Sequence, residues 1–269
     1  MIEDARTRAR AGLFRYLVLS GLFLGVSSIT IVFLAILSKL DAPTIGAAIA
    51  SKETLHAVKL TAVTTSITTV IAVLFGIPSG YALSRYRFPL HSLVDTIIDL
   101  PIVLPPLVGG IALLVFFTTP PGRWIEQHII PFVYTTRGIV LAQLVPSGSF
   151  AVRVLKAAFD SVHPRMEQVA RTLGCTERQA FMRVVLPQAR NGLVAGAVMT
   201  WARAAGEFGP ILMFCGASRG KTDVLPISIF LNMSIGNVPM ALCLTVILIA
   251  LAAGALLTFK KLGGRGYLW

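Results

Sequence analysis

Charge is scarce in this sequence. Only 13% of its 269 residues are Asp, Glu, Lys or Arg, and just 12 are acidic. A soluble domain of ordinary composition carries roughly 25% charged residues, so the chain lacks the polar surface that water would wet. Cysteine is nearly absent as well. Cys175, Cys215 and Cys243 fall at no metal or redox spacing, which excludes a disulfide framework. Histidine is thin and dispersed: His56, His91, His128 and His163 lie in separate connecting segments. No cluster of His with carboxylates remains for a membrane-bound enzyme, so no catalytic residue and no metal ligand is assigned.

What the chain has is apolar length. Hydrophobic residues make up 55% of it, and the mean hydropathy is +0.78. Residues 17–37 contain no charge at all. Runs of about 18 or more apolar residues read as membrane spans. Six are expected: residues 14–37, 57–83, 97–118, 138–159, 193–215 and 238–259. The first run is long, and no small-residue cleavage site closely follows it, so it reads as a retained helix rather than a signal peptide. The expected fold class is an all-α integral membrane protein, with residues 1–269 forming a single transmembrane domain.

The net charge of +12 would suit nucleic acid if the basic residues shared one soluble face. They lie between the apolar runs instead, which points to lipid and against nucleic acid. Arg6, Arg8, Arg10 and Arg15 precede the first span, and Arg85 and Arg87 follow the second. Arg165, Arg171, Arg178, Arg183 and Arg190 follow the fourth, and Lys260, Lys261 and Arg265 end the chain. The alternate loops are poorer, with Lys39 and Lys52, then Arg123, then Arg219 and Lys221. Short basic loops stay cytoplasmic. Six spans with both termini in the cytoplasm satisfy every loop.

Some polar residues lie inside the spans. Thr61, Thr64, Thr65, Thr68 and Thr69 recur at helical spacing and form one stripe. Such a stripe either walls a substrate path or packs helices closely, its hydroxyls bonded to backbone carbonyls. Arg203 and Glu207 stand one helical turn apart. A lone arginine at mid-bilayer costs about 2.5–3.5 kcal/mol on insertion scales, so the two are expected to pair, as a structural link or as an anion-biasing element. In the third span, Pro101, Pro105 and Pro106 either break a helix or precede one that starts at Pro106. Asp95 and Asp99 nearby are expected to meet basic loop residues or a helix N-terminus. The segment from Gly216 to Thr222 superficially resembles a phosphate-binding loop, but its glycines stand one residue too close. ATP, if used, must bind elsewhere.

The most informative stretch is the loop over residues 160–190. Ser161 can cap a helix, Pro164 can occupy its first turn, and Glu167 complements the helix dipole. Gly174 permits a left-handed stop. A second helical stretch begins at Thr176, is amphipathic through Ala180, Phe181 and Val184, and closes at Leu186-Pro187. Two short helices joined by a glycine elbow outside the membrane suit a docking element.

Here the sequence resembles a family. Permease subunits of ABC importers carry a cytoplasmic motif of Glu-Ala-Ala, three residues, Gly, nine residues, then Ile-any-Leu-Pro. This chain has Gln168-Val169-Ala170, Gly174 and Val184-Val185-Leu186-Pro187 at that spacing. Gln168, Val169 and Val184 depart from it, although Glu167 stands beside the glutamate position. The segment from Trp201 to Pro210, and Asp99-Leu-Pro101 with the prolines and glycines after it, are similar to molybdate, tungstate and sulfate permeases.

That resemblance implies a permease subunit of an oxyanion importer, for molybdate or tungstate, with a sulfate or thiosulfate permease as the alternative. It implies a homodimer, two separate ATPase subunits that bind ATP and Mg, and an extracytoplasmic oxyanion-binding protein. No cofactor is expected on this chain. Glu167, Gln168, Ala170 and Gly174 would lie at the ATPase-docking surface, with Leu186 and Pro187 closing the motif. Thr61, Thr65, Thr68, Arg203 and Glu207 are the candidates for the translocation path. A self-sufficient secondary transporter would need its own coupling-ion site, for which Glu207 is the one deep acid.

Overall fold

A computed structural model describes residues 2–262, with side chains described for residues 15–41 and 43–258. Arg265 therefore lies outside the described residues, as do the side chains of Arg6, Arg8, Arg10, Lys260 and Lys261. The described chain is all-helical, with 83% helix and no strands.

The elements in chain order are α1 (Ile2–Leu37), α2 (Ala42–Ala50), α3 (Lys52–Arg85), α4 (His91–Val103), α5 (Pro106–Thr118) and α6 (Pro120–His128). They continue with α7 (Thr136–Asp160), α8 (Pro164–Thr172), α9 (Glu177–Ala180), a π-helical turn (Phe181–Val185), α10 (Leu186–Ala205), α11 (Gly209–Cys215), α12 (Leu225–Ser234) and α13 (Val238–Leu262). Four helices are long and apolar enough to cross a membrane: Arg15–Leu37 within α1, α3, α7, and Val238–Thr258 within α13. A fifth crossing is made if α4 and α5, bent by 111° at their junction, count as one broken span.

Proline chemistry explains the bend. A residue before proline is pushed out of the helical region, and Leu104 and Pro105 are both extended, with ψ of 141° and 132°. Pro106 then opens α5, where its missing N–H costs nothing. Both sequence readings of this segment are met in part, since a helix does start at Pro106 and another helix precedes it.

The expected fifth span is not continuous. α10 stops at Ala205, Gly206 caps it, and α11 begins only at Gly209. The break is held by close packing against the α4–α5 bend. A methyl group on Gly209 would sit 2.9 Å from Pro106 Cβ, and one on Gly110 would sit 2.8 Å from the Pro210 carbonyl oxygen.

The core lies where α3, α7 and α10 meet. Gly80 lets α3 approach α7 so closely that a Cβ there would lie 2.8 Å from the Lys156 backbone nitrogen. Tyr81, Leu155, Phe159, Val185 and Leu193 fill the space beside this contact. Most of the large apolar side chains of α1 are exposed in the single chain, as expected of a helix whose solvent is lipid.

Candidate functional site

The loop after α7 folds largely as its residues dictate, with two differences. The N-cap of α8 is His163, whose side chain accepts from the Arg165 N–H at 3.2 Å. Ser161 does not cap; its hydroxyl donates to the Ala158 carbonyl oxygen at 2.7 Å and finishes α7. The second helical stretch is not closed at Leu186-Pro187. It runs from α9 through the π-helical turn into α10, and the Leu186 N–H donates to the Phe181 carbonyl oxygen five residues back. Pro187 lies in the first turn of α10.

Gly174 makes the elbow. Its φ is +92°, a left-handed value that glycine adopts without a Cβ penalty. The Cys175 N–H donates to Ala170 O and the Gly174 N–H to Arg171 O, both at 3.1 Å. This is the reciprocal pattern that satisfies the last carbonyls of a helix. Thr176 and Gln179 then form a capping box that starts α9.

The orientation of α8 differs from expectation. Glu167 and Ala170 do not lie on its outer surface; they are 9% and 8% exposed and turn inward. Glu167 Oε1 accepts from the Tyr81 hydroxyl at 2.6 Å, and Oε2 lies 3.3 Å from Arg85 Nε. Gln168 is exposed and Gly174 faces open space. The outer face instead carries Met166, Val169 and Leu173, the last 80% exposed. A second carboxylate of the loop, Glu177, accepts from the Tyr86 hydroxyl. That hydrogen bond raises the Tyr86 phenol above the ordinary tyrosine value.

The threonine stripe does not face open space. Thr61, Thr65 and Thr68 are fully buried within the chain. Thr61 Oγ1 donates to Ala57 O at 2.7 Å and accepts from the Leu225 N–H at 2.8 Å. Thr68 Oγ1 donates to Gln143 Oε1 at 2.9 Å, and Gln143 Nε2 reaches Thr65 Oγ1 at 3.4 Å. These hydroxyls serve helix packing, the second of the two readings, because each bonds inside the bundle. As translocation-path candidates, Thr61, Thr65 and Thr68 are each enclosed among their helix neighbours in the single chain.

Arg203 and Glu207 do pair, at 2.5 Å from Nη1 to Oε2. Glu207 lies beyond the end of α10, in the break, at 2% exposure, while Arg203 remains 37% exposed through its side chain. Asp95 and Asp99 meet neither loop residues nor a helix N-terminus. Both bind Arg153 of α7, which donates to Asp95 Oδ1 at 2.8 Å and to Asp99 Oδ2 at 2.5 Å. Sequence reasoning missed Tyr81, Arg85, Tyr86 and Arg153. In the sequence Arg85 reads only as loop charge, and nothing there marks its partner. The segment from Gly216 to Thr222 is a closed turn, with Thr222 Oγ1 donating to Gly216 O at 3.2 Å, and no strand precedes it among the described residues.

The loop carrying α8 and the turn at Gly216 sit at opposite ends of α3. Tyr81, Arg85 and Tyr86 bind the loop at one end. At the other, Glu53 pairs with Arg219 at 3.1 Å and His56 lies 3.6 Å from Asp223. The 34 residues of α3 span roughly 50 Å at about 1.5 Å per residue, more than a hydrocarbon core of about 30 Å.

Comparison with known proteins fits this arrangement. The profile described as "Binding-protein-dependent transport system inner membrane component" matches residues 72–260. The "Molybdenum transport system permease protein ModB" of Mycobacterium bovis is 36% identical over 231 residues, covering 85% of this chain and 87% of that protein. The "Sulfate transport system permease protein CysT" of Escherichia coli K12 is 33% identical over 214 residues, covering 79% of this chain and 76% of that protein. Among solved structures, a bacterial alginate ABC transporter in complex with a pentasaccharide-bound periplasmic protein has a chain that superposes with a TM-score of 0.75. The overlap covers 95% of both chains at 16% identity, a likeness of fold alone. A multi-pass helical protein whose matched segment runs from the middle of α3 to the end of α13 thus belongs to the binding-protein-dependent inner-membrane transport family, as an ABC importer permease subunit.

Proposed function

We propose that this chain is the permease subunit of an ATP-driven importer of a tetrahedral oxyanion, molybdate or tungstate, working as a homodimer with two ATPase subunits. The observation that carries the coupling half of this reading is the elbow of α8 and α9. It is short, capped at each helix start, stopped by Gly174, and fixed to the end of α3. A rigid hinged element of this kind can pass on a rigid-body push, which a loose loop cannot. The exposed stripe of Met166, Val169 and Leu173 suits a cleft on an ATPase, since side chains three and four residues apart share one helix face. ATP and Mg belong to that partner.

The elbow is read as cytoplasmic because Arg165, Arg171, Arg178, Arg183 and Arg190 surround it. The opposite end of α3, with the turn at Gly216, then faces the extracytoplasmic binding protein. Arg203 is the cation available to bias a path toward anions, while Glu207 and the break after α10 set its position.

For the substrate, support comes from the identity and coverage shared with the molybdenum permease of Mycobacterium bovis. The likeness to the sulfate permease of Escherichia coli favours a second reading, a sulfate permease, which would pair with a different permease chain. The test is ATP hydrolysis by the reconstituted complex when binding protein loaded with molybdate, tungstate or sulfate is added. Stimulation by molybdate or tungstate alone is expected. Stimulation by sulfate alone moves the assignment to the second reading, and silence with all three removes the oxyanion class.

A further inference from the structure

The elbow is held by more than its own chain ends. Glu167 carries one carboxylate oxygen to the Tyr81 hydroxyl at 2.6 Å and the other to within 3.3 Å of Arg85 Nε. Arg85 is itself fixed, because Nη2 donates to the carbonyl oxygens of Phe159 at 3.0 Å and Val162 at 2.7 Å. The Tyr81 ring stands edge-on to Phe159 at 5.6 Å and to Phe181 at 4.6 Å between centroids. One buried cluster therefore joins the end of α3, the end of α7, α8 and the π-helical turn. The Tyr86–Glu177 bond ties α9 to the same helix end.

The chemistry favours a stiff joint. A buried carboxylate is stable only when charge and hydrogen-bond donors compensate it, and here a phenol and a guanidinium both do. The Tyr81 hydroxyl gives Glu167 the short, directional hydrogen bond typical of an ionised acceptor, while Arg85 holds the carboxylate by charge at 3.3 Å and directs its Nη2 hydrogens to the two carbonyls. A push on α8 cannot slide past Tyr81 and Arg85 without exposing a bare carboxylate.

We propose that Tyr81 and Arg85 are positioning residues that carry movement of α8 into α3, so that α3 is driven directly and not only through the peptide link to α10. This rests on the reading of the elbow as the ATPase-docking element. α3 is suited to the task, because it reaches the far end of the bundle, where Glu53 and Thr61 meet Arg219 and the start of α12. Its backbone also lies against α7 at Gly80, so its motion is shared with that helix.

The test uses the full complex with its ATPase subunits in lipid nanodiscs. Tyr81→Phe keeps the ring packing and removes the donor, and Glu167→Gln keeps the shape and removes the charge. Two quantities are read: amide hydrogen exchange over residues 165–173, and the ratio of binding-protein-stimulated to basal ATP hydrolysis. Both variants are expected to speed the exchange and to bring the ratio down toward one. Arg85→Lys, which keeps the charge but loses the fork, should fall between them and the parent. Gly148→Ala, a change on α7 whose added methyl meets only an ordinary contact with Leu144, is the control and keeps the ratio. An unchanged ratio in Tyr81→Phe and Glu167→Gln overturns the proposal. Faster exchange with an unchanged ratio also overturns it, since the tie would then be structural only. A parent chain that captures no ATPase overturns the docking reading and this proposal together, whereas a responsive parent with equally responsive variants overturns this proposal alone.

Discussion

Gln143 of α7 donates from Nε2 to the carbonyl oxygen of Ala204 of α10 at 3.1 Å, one residue before the end of that helix. The same amide accepts from Thr68 of α3. One side chain, 1% exposed, thus links the three helices that form the centre of the bundle. It does so just where α10 gives way to the break that holds Glu207.

Gln143→Leu should therefore destabilise by about 1–3 kcal/mol, the usual cost of leaving a buried acceptor without its donor. The drop in the unfolding midpoint in detergent reads it. Thr68→Val combined with Gln143→Leu should cost less than the two changes summed, because the second change removes a partner already lost. Strict additivity would show that the two side chains do not share a bond.

Two glycines differ in what a methyl group would meet. At Gly80 it would lie 2.8 Å from the Lys156 backbone nitrogen and 3.2 Å from the Leu155 carbonyl carbon, so only movement of a helix relieves it. At Gly148 it would lie 3.6 Å from a Leu144 methyl, an ordinary contact. Gly80→Ala is expected to cost about 1–3 kcal/mol through overpacking, while Gly148→Ala is expected to leave the midpoint nearly unchanged. Equal midpoints in the two variants would contradict the close α3–α7 contact.

The contrast between what sequence and structure disclose has a physical pattern. Apolar length survives any tertiary detail, so residues 57–83 and 138–159 fell inside α3 and α7. Gly174 was readable as an elbow because only its own backbone decides it. The facing of α8 was not readable. In water an apolar stripe turns inward, but Met166, Val169 and Leu173 point outward and the acid Glu167 points in. That inversion depends on Tyr81 and Arg85, more than 80 residues earlier for Tyr81. The break after Ala205 was hidden for a related reason. Gly206, Glu207, Gly209 and Pro210 could signal it, yet apolar residues flank it on both sides, and the packing of Pro106 on Gly209 is a long-range fact.

Arg153 offers a test of charge geometry. It binds Asp95 and Asp99, which stand one turn apart on α4, and with 24% of its side chain exposed it is only partly screened. Arg153→Met would leave two like charges as neighbours. The expected loss is about 1 kcal/mol, because solvent screening keeps the pair well below a buried one. Arg153→Lys should recover only part, since an ammonium cannot serve both carboxylates as a fork does. Adding Asp95→Asn and Asp99→Asn to Arg153→Met should restore much of the midpoint. If it does not, repulsion on α4 is not the cause.

Gly174→Pro separates folding from coupling. Proline holds φ near −65°, against +92° at this position, and it deletes the N–H that donates to Arg171 O. The turn between α8 and α9 must then take another course. The membrane-spanning helices do not depend on that turn, because Gly174 faces open space and a Cβ there would touch nothing within 4 Å. Insertion and yield should therefore match the parent, while uptake per ATP hydrolysed falls in the reconstituted complex. Gly174→Ala meets only left-handed strain, about 1–2 kcal/mol, and can keep the turn. It should retain most of the coupling. Parent-level uptake by the proline variant would mean that the angle at Gly174 does not matter to transport, and that force reaches α3 and α10 by some other part of the loop.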